Sequence, residues 1–310
     1  MQQTIAQEPS STVEENRSDK LIGYLQQQLP KLVLAPSFAV ILMFVYGFIL
    51  WTVYLSFSAS KMLPNYTWVG LDQWSRLWNT LTWQTSLQNL FIFSILYIGL
   101  CIAIGLLLAI LLDQKIRLEG GLRTLYLYPM ALSFIVTGTA WKWFLNPGLG
   151  LERTMHEWGF VDFKFDWLVN SDMAIYTVVI AGVWQASGFV MAMFLAGLRG
   201  IDNEILKAAQ IDGAPAWRIY TRIIIPQLGP VFLSAFVVLL HLAIKSFDLV
   251  IALTGGGPGN ATSLPATFMY SYSFTRNQIG VGASSAVFML MIIVAIMVPY
   301  IYSEIKGGKK

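Results

Sequence analysis

The chain has 310 residues, of which 56% are hydrophobic and only 12% are charged, and its mean hydropathy is +0.60. Because a typical soluble protein is about 25% charged, this composition excludes a water-soluble protein and indicates an all-α integral membrane protein. A net charge of +3, one cysteine and two distant histidines argue against a nucleic-acid-binding arm, an internal disulfide and a zinc site.

Six charge-poor intervals are each long enough to cross a hydrocarbon core of ~30 Å, which requires roughly 20 apolar residues. They predict transmembrane helices near residues 32–57, 90–112, 123–142, 174–198, 229–253 and 282–302. An even number of helices places both termini on one side of the membrane. If that side is the cytoplasm, 13 of the 20 Lys and Arg residues lie in cytoplasmic segments and six lie outside, which predicts an N-in, C-in topology.

These intervals also predict how the chain is organised. The predicted segments are a cytoplasmic tail (1–31), the first transmembrane helix (32–57), an external segment (58–87), a core containing the other five helices (88–303) and a cytoplasmic C-terminus (304–310). Apolar residues at helical spacing near the end of the tail fit either a short helix on the inner membrane surface or a solvated approach to the first helix.

The cytoplasmic connection between the fourth and fifth spans, residues 199–226, has the pattern of two short helices joined by a turn. Asp202 is a good N-cap for the first helix, and Glu204 lies in its electropositive first turn. Asp212 and Gly213 mark the turn, because glycine tolerates backbone angles that other residues avoid. Asp212 is also a candidate cap for the second helix. Periodicity alone fits either a docking element or a hairpin that merely connects two spans.

The whole loop, EILKAAQIDGAPAWRIYTRIIIP (204–226), resembles the EAA loop of permease subunits in binding-protein-dependent ABC importers. The family pattern, E-A-A-x-x-D-G-A followed by an aromatic residue and I-x-x-P, is matched by Ala208, Ala209, Asp212, Gly213, Ala214, Trp217, Ile223 and Pro226. The sequence departs from the pattern at the glutamate, where it has Lys207, and its nearest acid is Glu204.

Three further segments resemble carbohydrate-uptake permeases of the maltose and glycerol-phosphate type. FDLVIALTGGGPGNATS (247–263) is similar to the outer end of their fifth helix, and VGLDQWSRLW (69–78) to the segment before their second helix. GNATSLPATFMYSYSF (259–274) is similar to glucose/mannose-type and glucosylglycerol-type members. The chain is therefore identified as a member of this family.

The resemblance implies a type I ABC importer permease fold and a transport role without enzymatic activity in this chain. A sugar or small glycoside would be carried inward across a bacterial plasma (inner) membrane, driven by ATP hydrolysis in partner subunits. The implied partners are a second homologous permease, two ATP-binding subunits, a periplasmic or external sugar-binding protein and membrane lipid, with no nucleic acid. ATP and Mg would be bound by the ATPase, and this chain would hold no cofactor or metal.

Within the loop, the resemblance implies that seven residues contact the ATPase. They are Glu204, Lys207, Ala208, Ala209, Asp212, Gly213 and Ala214. The glycine-rich stretch 255–259 lacks the Gly-Lys-Ser/Thr of a phosphate loop and is better explained as an outer turn.

A polar stripe is predicted in the fifth span. Ser234, His241, Lys245 and Asp248 are spaced by seven, four and three residues, which places them on one face of a continuous helix. An unpaired ionisable group within a span costs at least ~2.5 kcal/mol, so these side chains should face the protein or a wet cavity. Lys245 and Asp248 are also placed to pair at i,i+3. The stripe would either line the translocation path and bind sugar hydroxyls, or lock helices together through an ion pair.

The fourth span has Trp184, Gln185 and Ser187 near its middle, which would supply an aromatic face and an amide to a sugar ring. The alternative is a buried packing contact between Trp184 and Gln185. The predicted substrate path consists of Trp184, Gln185, Ser187, His241, Lys245 and Asp248.

Two other functions compete with the importer. An ion-coupled secondary carrier would use Lys245 and Asp248 as a proton or ion site, but the sequence shows no second half with similar broken helices. A membrane-embedded enzyme would need a nucleophile–base pair or a metal cluster within the spans, which His241 and the lone Cys101 do not supply.

Overall fold

The computed structural model describes residues 28–31, 33–63, 65–114 and 117–307, with side chains through Tyr302. Most of the predicted interfacial helix of the tail lies outside these residues, and its last apolar residue, Leu29, belongs to the first long helix. The chain divides into a first unit that ends at Tyr54 and a second that begins at Leu55. The described residues are mainly helical, and their β pairing is limited to a single bridge between Ser58 and Trp68.

The helices follow one another along the chain. They are α1 (Gln28–Ser56), α2 (Asp72–Trp78), α3 (Leu81–Asp113), α4 (Glu119–Ala131), α5 (Phe134–Phe144), α6 (Leu151–Glu157), α7 (Ala174–Arg199), α8 (Asn203–Ile211), α9 (Ala216–Gln227), α10 (Gly229–Ile244), α11 (Asp248–Leu253), α12 (Pro265–Tyr270) and α13 (Ile279–Gly307). Short π-helical segments interrupt α1 and α9 and follow α12, at Leu42–Tyr46, Tyr220–Ile224 and Ser271–Thr275.

Four of the described helices, α1, α3, α7 and α13, are long and apolar enough to cross a membrane. They correspond to the first, second, fourth and sixth predicted spans. The bounds of α7 agree with the prediction to within one residue. A fifth candidate span is the pair α9 and α10, which meet at a bend of 64°. The predicted total of six spans and the N-in, C-in topology stay predictions.

The third predicted span, residues 123–142, is not one helix but two. Pro129 lies in the last turn of α4, and Leu132 then adopts an extended conformation. Ser133 begins α5, because its Oγ accepts a hydrogen bond from the N–H of Val136 at 3.3 Å. The break has a partner on another helix: Nε2 of Gln185 in α7 donates to the carbonyl of Leu132 at 2.8 Å.

The fifth predicted span, residues 229–253, is also broken, and here the sequence-based prediction was wrong. α10 ends at Ile244 and α11 begins at Asp248, so residues 245–247 are not helical. The i,i+3 geometry that would pair Lys245 with Asp248 is therefore absent, and none of the ion pairs in the described residues includes either side chain. Irregular backbone at membrane depth is tolerated where it lines a cavity, and this break lines one.

The core forms where α7 packs along α3 and is completed by α4, α10 and α11. Its largest fully buried side chains include Phe93 of α3 and Met191 and Phe194 of α7. Glycines allow the closest approaches. An added Cβ on Gly138 of α5 would lie 2.7 Å from Cβ of Ala252 in α11, and one on Gly188 of α7 would lie 1.8 Å from the carbonyl oxygen of Tyr126 in α4.

Candidate functional site

The loop between α7 and α10 contains the two predicted short helices. Asp202 caps α8, as predicted, because its Oδ1 accepts a hydrogen bond from the N–H of Glu204 at 2.8 Å. Ala209 faces the core and is buried, whereas Glu204, Lys207 and Ala208 are exposed. The lysine that replaces the motif glutamate is therefore available to a partner.

The turn after α8 is a Schellman motif. The N–H of Ala214 donates to the carbonyl of Ala209 at 3.1 Å, and the N–H of Gly213 donates to that of Gln210 at 3.0 Å. This pattern requires a left-handed residue, and Gly213 has φ 72°. Asp212 ends α8 and does not cap the next helix, whose N-cap is Pro215. The turn is therefore rigid, and Asp212 and Gly213 are exposed at its tip.

Two exposed apolar side chains flank the turn, and the sequence analysis assigned them no docking role. Ile211 is 86% exposed and Trp217 is 62% exposed. Large exposed apolar residues beside a rigid polar turn are typical of a protein interface. The signal was present in the sequence, because Ile211 lies about 160° from Ala209 around α8, where the helix does not face the core.

The base of the loop is attached to the ends of two candidate spans, α3 and α7, and to the start of α4. Nε2 of Gln114, just after α3, donates to the hydroxyl of Tyr220 in α9 at 3.0 Å. Arg199, the last residue of α7, forms ion pairs with Asp113 at the end of α3 and Glu119 at the start of α4. A displacement of the loop would therefore be transmitted directly to α3, α4 and α7.

The break between α10 and α11 brings together three of the predicted path residues. Lys245 and Asp248 line a cavity of about 110 Å³, whose walls include Phe93, Tyr97 and Phe134. The same two side chains and His241 line an adjoining cavity of about 460 Å³. An ammonium group, a carboxylate and an imidazole are thus presented at one place in the described fold, where they are able to exchange hydrogen bonds with a polar solute.

The three residues of α7 that were predicted to line the substrate path point in different directions from the helix. Trp184 is 41% exposed and lies edge-on to Trp141, with ring centroids 5.8 Å apart. Together with Phe144 these rings line an open hollow of about 230 Å³. Gln185 is only 3% exposed and Ser187 is half-buried, and neither lines the cavities around Lys245. The exposure of Trp184 does not fit a buried packing contact with Gln185, because successive helical residues point about 100° apart.

Gln185 has a structural contact that predicts a stability effect. Gln185→Leu keeps the volume but leaves the partly buried carbonyl of Leu132 without its donor, which costs about 1–3 kcal/mol. We expect a lower melting temperature in detergent and an unchanged transport KM in the protein that remains folded. Ser187→Ala, on the same helix, is the control and should melt like the unaltered chain. A raised KM with normal melting would instead place Gln185 in contact with the substrate.

These features define a class of protein: a membrane-spanning subunit with an exposed loop joined to two candidate spans, and a cavity with three ionisable side chains at a broken helix. The family model for binding-protein-dependent transport system inner membrane components matches residues 101–305. This chain belongs to that family. It is therefore the membrane subunit of a transporter, and the family's ATPase is a separate subunit.

Curated relatives agree with this assignment along most of the chain. A probable ABC transporter permease protein of Pyrococcus horikoshii is 40% identical over 281 residues, covering 90% of this chain and 96% of the relative. The xylose/arabinose import permease protein of Haloferax volcanii is 35% identical over 268 residues, covering 85% of this chain and 84% of the relative.

A solved structure confirms the permease fold. The chain matches a bacterial ABC transporter involved in the import of the acidic polysaccharide alginate, with a TM-score of 0.80 and 19% identity. The match covers 93% of this chain and 99% of that one. The carrier alternative has no support among these relatives.

Proposed function

We propose that this chain is the permease through which an ABC importer moves a sugar or small glycoside into the cell. The observation that carries the proposal is the exposed Schellman turn at Gly213, which is free to contact a partner subunit. The base of the loop that carries this turn is joined to α3, α4 and α7. A subunit that closes on this turn would move three helices at once, two of them candidate spans. The cavity lined by Lys245 and Asp248 would then open alternately to the two sides.

The cargo is inferred from relatives and from the chemistry of the cavity. Relatives include a trehalose/maltose permease of Thermococcus litoralis and an osmoprotective compounds uptake permease of Synechocystis. The cavity offers donors and acceptors from Lys245, Asp248 and His241 beside aromatic rings. This combination suits a neutral, hydroxyl-rich solute, since hydroxyls both donate and accept hydrogen bonds.

The proposed assembly contains a second related permease, two ATP-binding subunits and an external sugar-binding protein. The two permeases would lie in the plasma membrane, which is the inner membrane of a bacterium that has two membranes. ATP and Mg would be bound by the ATP-binding subunits, outside this chain. Support comes from the family membership and from a fold match to the alginate transporter in complex with a pentasaccharide-bound periplasmic protein.

The test is uptake of labelled sugars by the reconstituted complex. We expect uptake to require ATP and the binding protein and to persist when the proton gradient is dissipated. Asp248→Asn and Lys245→Gln should each raise the transport KM at least about tenfold, since a hydrogen bond to a charged group is worth about 1.5–3 kcal/mol. Affinity of the isolated binding protein for the sugar should not change.

The matched controls are Asp162→Asn and Lys142→Gln, which remove exposed charges that line neither cavity. They should leave the KM unchanged. Equal KM values for all four variants would show that Lys245 and Asp248 do not contact the sugar on the translocation path. Uptake that needed a proton gradient and no ATP would disprove the importer itself.

A further inference from the structure

A polar cavity lies at the opposite end of the fold from the loop between α7 and α10, which we call the coupling loop. It has a volume of about 480 Å³ and is lined by segments before α2, by α2 itself and by the start of α13. Its charged side chains are Lys61, Asp72, Arg76 and Arg276. Three cations and one carboxylate give the cavity a formal charge of +2. We call it the outer cationic pocket.

The walls of the pocket are held in place by polar contacts. Nε2 of the buried Gln73 donates to the carbonyl of Ser58 at 2.9 Å, and the N–H of Gly280 donates to the carbonyl of Ser60 at 2.9 Å. An added Cβ on Gly280 would lie 2.8 Å from the Gln73 side chain. The α2 segment and the start of α13 are therefore closely packed and joined by hydrogen bonds through the segment that contains Ser58 and Ser60.

Arg276 is oriented before any ligand binds. Its Nη1 donates to the hydroxyl of Tyr272 at 2.9 Å, and its guanidinium lies 4.6 Å from the centre of the same ring. Tyr272 is itself buried and stacks on Phe268 with ring centroids 4.0 Å apart. The remaining donors of Arg276 are thus presented to the pocket by a fixed support.

The cations of the pocket have no anionic partner in the described part of the chain. None of the ion pairs formed there includes Lys61, Arg76 or Arg276, although Asp72 lines the same pocket. Cations that are held close together repel one another unless an anion lies between them. The pocket is therefore built to receive negative charge from outside the chain.

The depth of the pocket indicates where that charge comes from. Arg276 lies three residues before α13, whose apolar part Ile279–Tyr302 is a candidate span, and Val281 in the first turn also lines the pocket. A membrane crossed by this part of α13 would place the pocket level with the headgroup layer, which extends about 5–8 Å beyond the hydrocarbon core on each side. Exposed apolar side chains accompany it, since Met62 in its wall is 70% exposed and Leu71 beside Asp72 is 68% exposed.

We propose that the outer cationic pocket binds the phosphate-containing headgroup of an anionic phospholipid, in the leaflet opposite the coupling loop. The guanidinium groups of Arg76 and Arg276 would bind the phosphate oxygens, which they match as bidentate donors. Lys61 would add a third positive charge, and Met62 and Leu71 would contact the acyl chains. A lipid held between α2 and α13 would stabilise the outer end of the last span.

The test measures lipid retained by the full-length chain in its native complex. The complex is purified from nanodiscs of phosphatidylglycerol and phosphatidylcholine, washed in mild detergent and analysed by native mass spectrometry. We expect phosphatidylglycerol to be retained in preference to phosphatidylcholine. R76Q/R276Q should lower its retention at least about tenfold, since each basic residue near an anionic surface contributes about fivefold. K142Q/K164Q removes two cations outside the pocket and should retain it normally.

Asp72→Asn provides a test that misfolding cannot imitate, because it should increase phosphatidylglycerol retention by removing the carboxylate. Equal retention of both lipids, or no gain with Asp72→Asn, would overturn the proposal. Inorganic phosphate at the same molar excess should not raise the melting temperature as phosphatidylglycerol does. If it did, the ligand would be a free anion. Loss of binding-protein capture by R76Q/R276Q, with lipid retention unchanged, would assign the pocket to protein docking instead.

Discussion

Gly213→Val is expected to separate this chain from its ATPase. Gly213 has φ 72°, where a β-branched side chain is a severe outlier, and a non-glycine residue costs about 1–2 kcal/mol in this region. The Schellman hydrogen bonds to Ala209 and Gln210 would be lost and the tip of the loop would change shape. We expect at least a tenfold drop in ATPase recovered with the tagged chain, measured by pull-down, and a matching loss of ATP-dependent uptake.

Three companion variants identify the cause. Gly213→Asn should retain the ATPase, because asparagine tolerates the left-handed region, and Gly213→Asp differs from it only by a charge at the exposed turn. A larger loss with Asp than with Asn would show that the docking cleft disfavours negative charge. Gly159→Val strains a comparable left-handed glycine, φ 96°, in the segment between α6 and α7 and should have no effect on the ATPase. Normal docking and transport by Gly213→Val would refute the coupling role of this loop.

Among the core glycines described above, Gly188 is expected to be the one whose replacement by alanine destabilises the fold most. The new Cβ would lie 1.8 Å from the carbonyl oxygen and 2.6 Å from the carbonyl carbon of Tyr126. Both obstructing atoms belong to the backbone of α4, so the clash is relieved only by moving α4 away from α7. Overpacking of this kind costs about 1–3 kcal/mol or more. We expect poor accumulation in the membrane and a clearly lower melting temperature in detergent.

Gly99→Ala is the matched control, because Gly99 lies within α3 and an added Cβ would meet no atom within 4 Å. A helix gains about 0.5–1 kcal/mol when an interior glycine is replaced by alanine, so this variant should melt at the same temperature or slightly higher. Equal melting temperatures for Gly188→Ala and Gly99→Ala would contradict the close approach of α4 and α7.

Several properties of this protein were determined by the sequence alone. Low charge and long apolar intervals fixed the membrane class and placed α7 almost to the residue, because the hydrophobic effect acts on composition over a whole span. The cap at Asp202 and the left-handed turn at Gly213 were equally predictable, since both depend on local backbone chemistry. The loop motif identified the family that the comparisons then confirmed.

The helix breaks and the contacts that satisfy them were decided by the tertiary structure. Hydropathy averages over about 20 residues and does not detect a short unwound segment. Whether the backbone unwinds depends on partners distant in sequence, such as Gln185 for the carbonyl of Leu132, or on a neighbouring cavity, as at residues 245–247. For that reason Gln185 supports a helix break, and Lys245 and Asp248 line a cavity without an ion pair to any residue that the structure describes. Membrane backbone must satisfy its hydrogen bonds within the protein, and only the packing of all the helices determines how it does so.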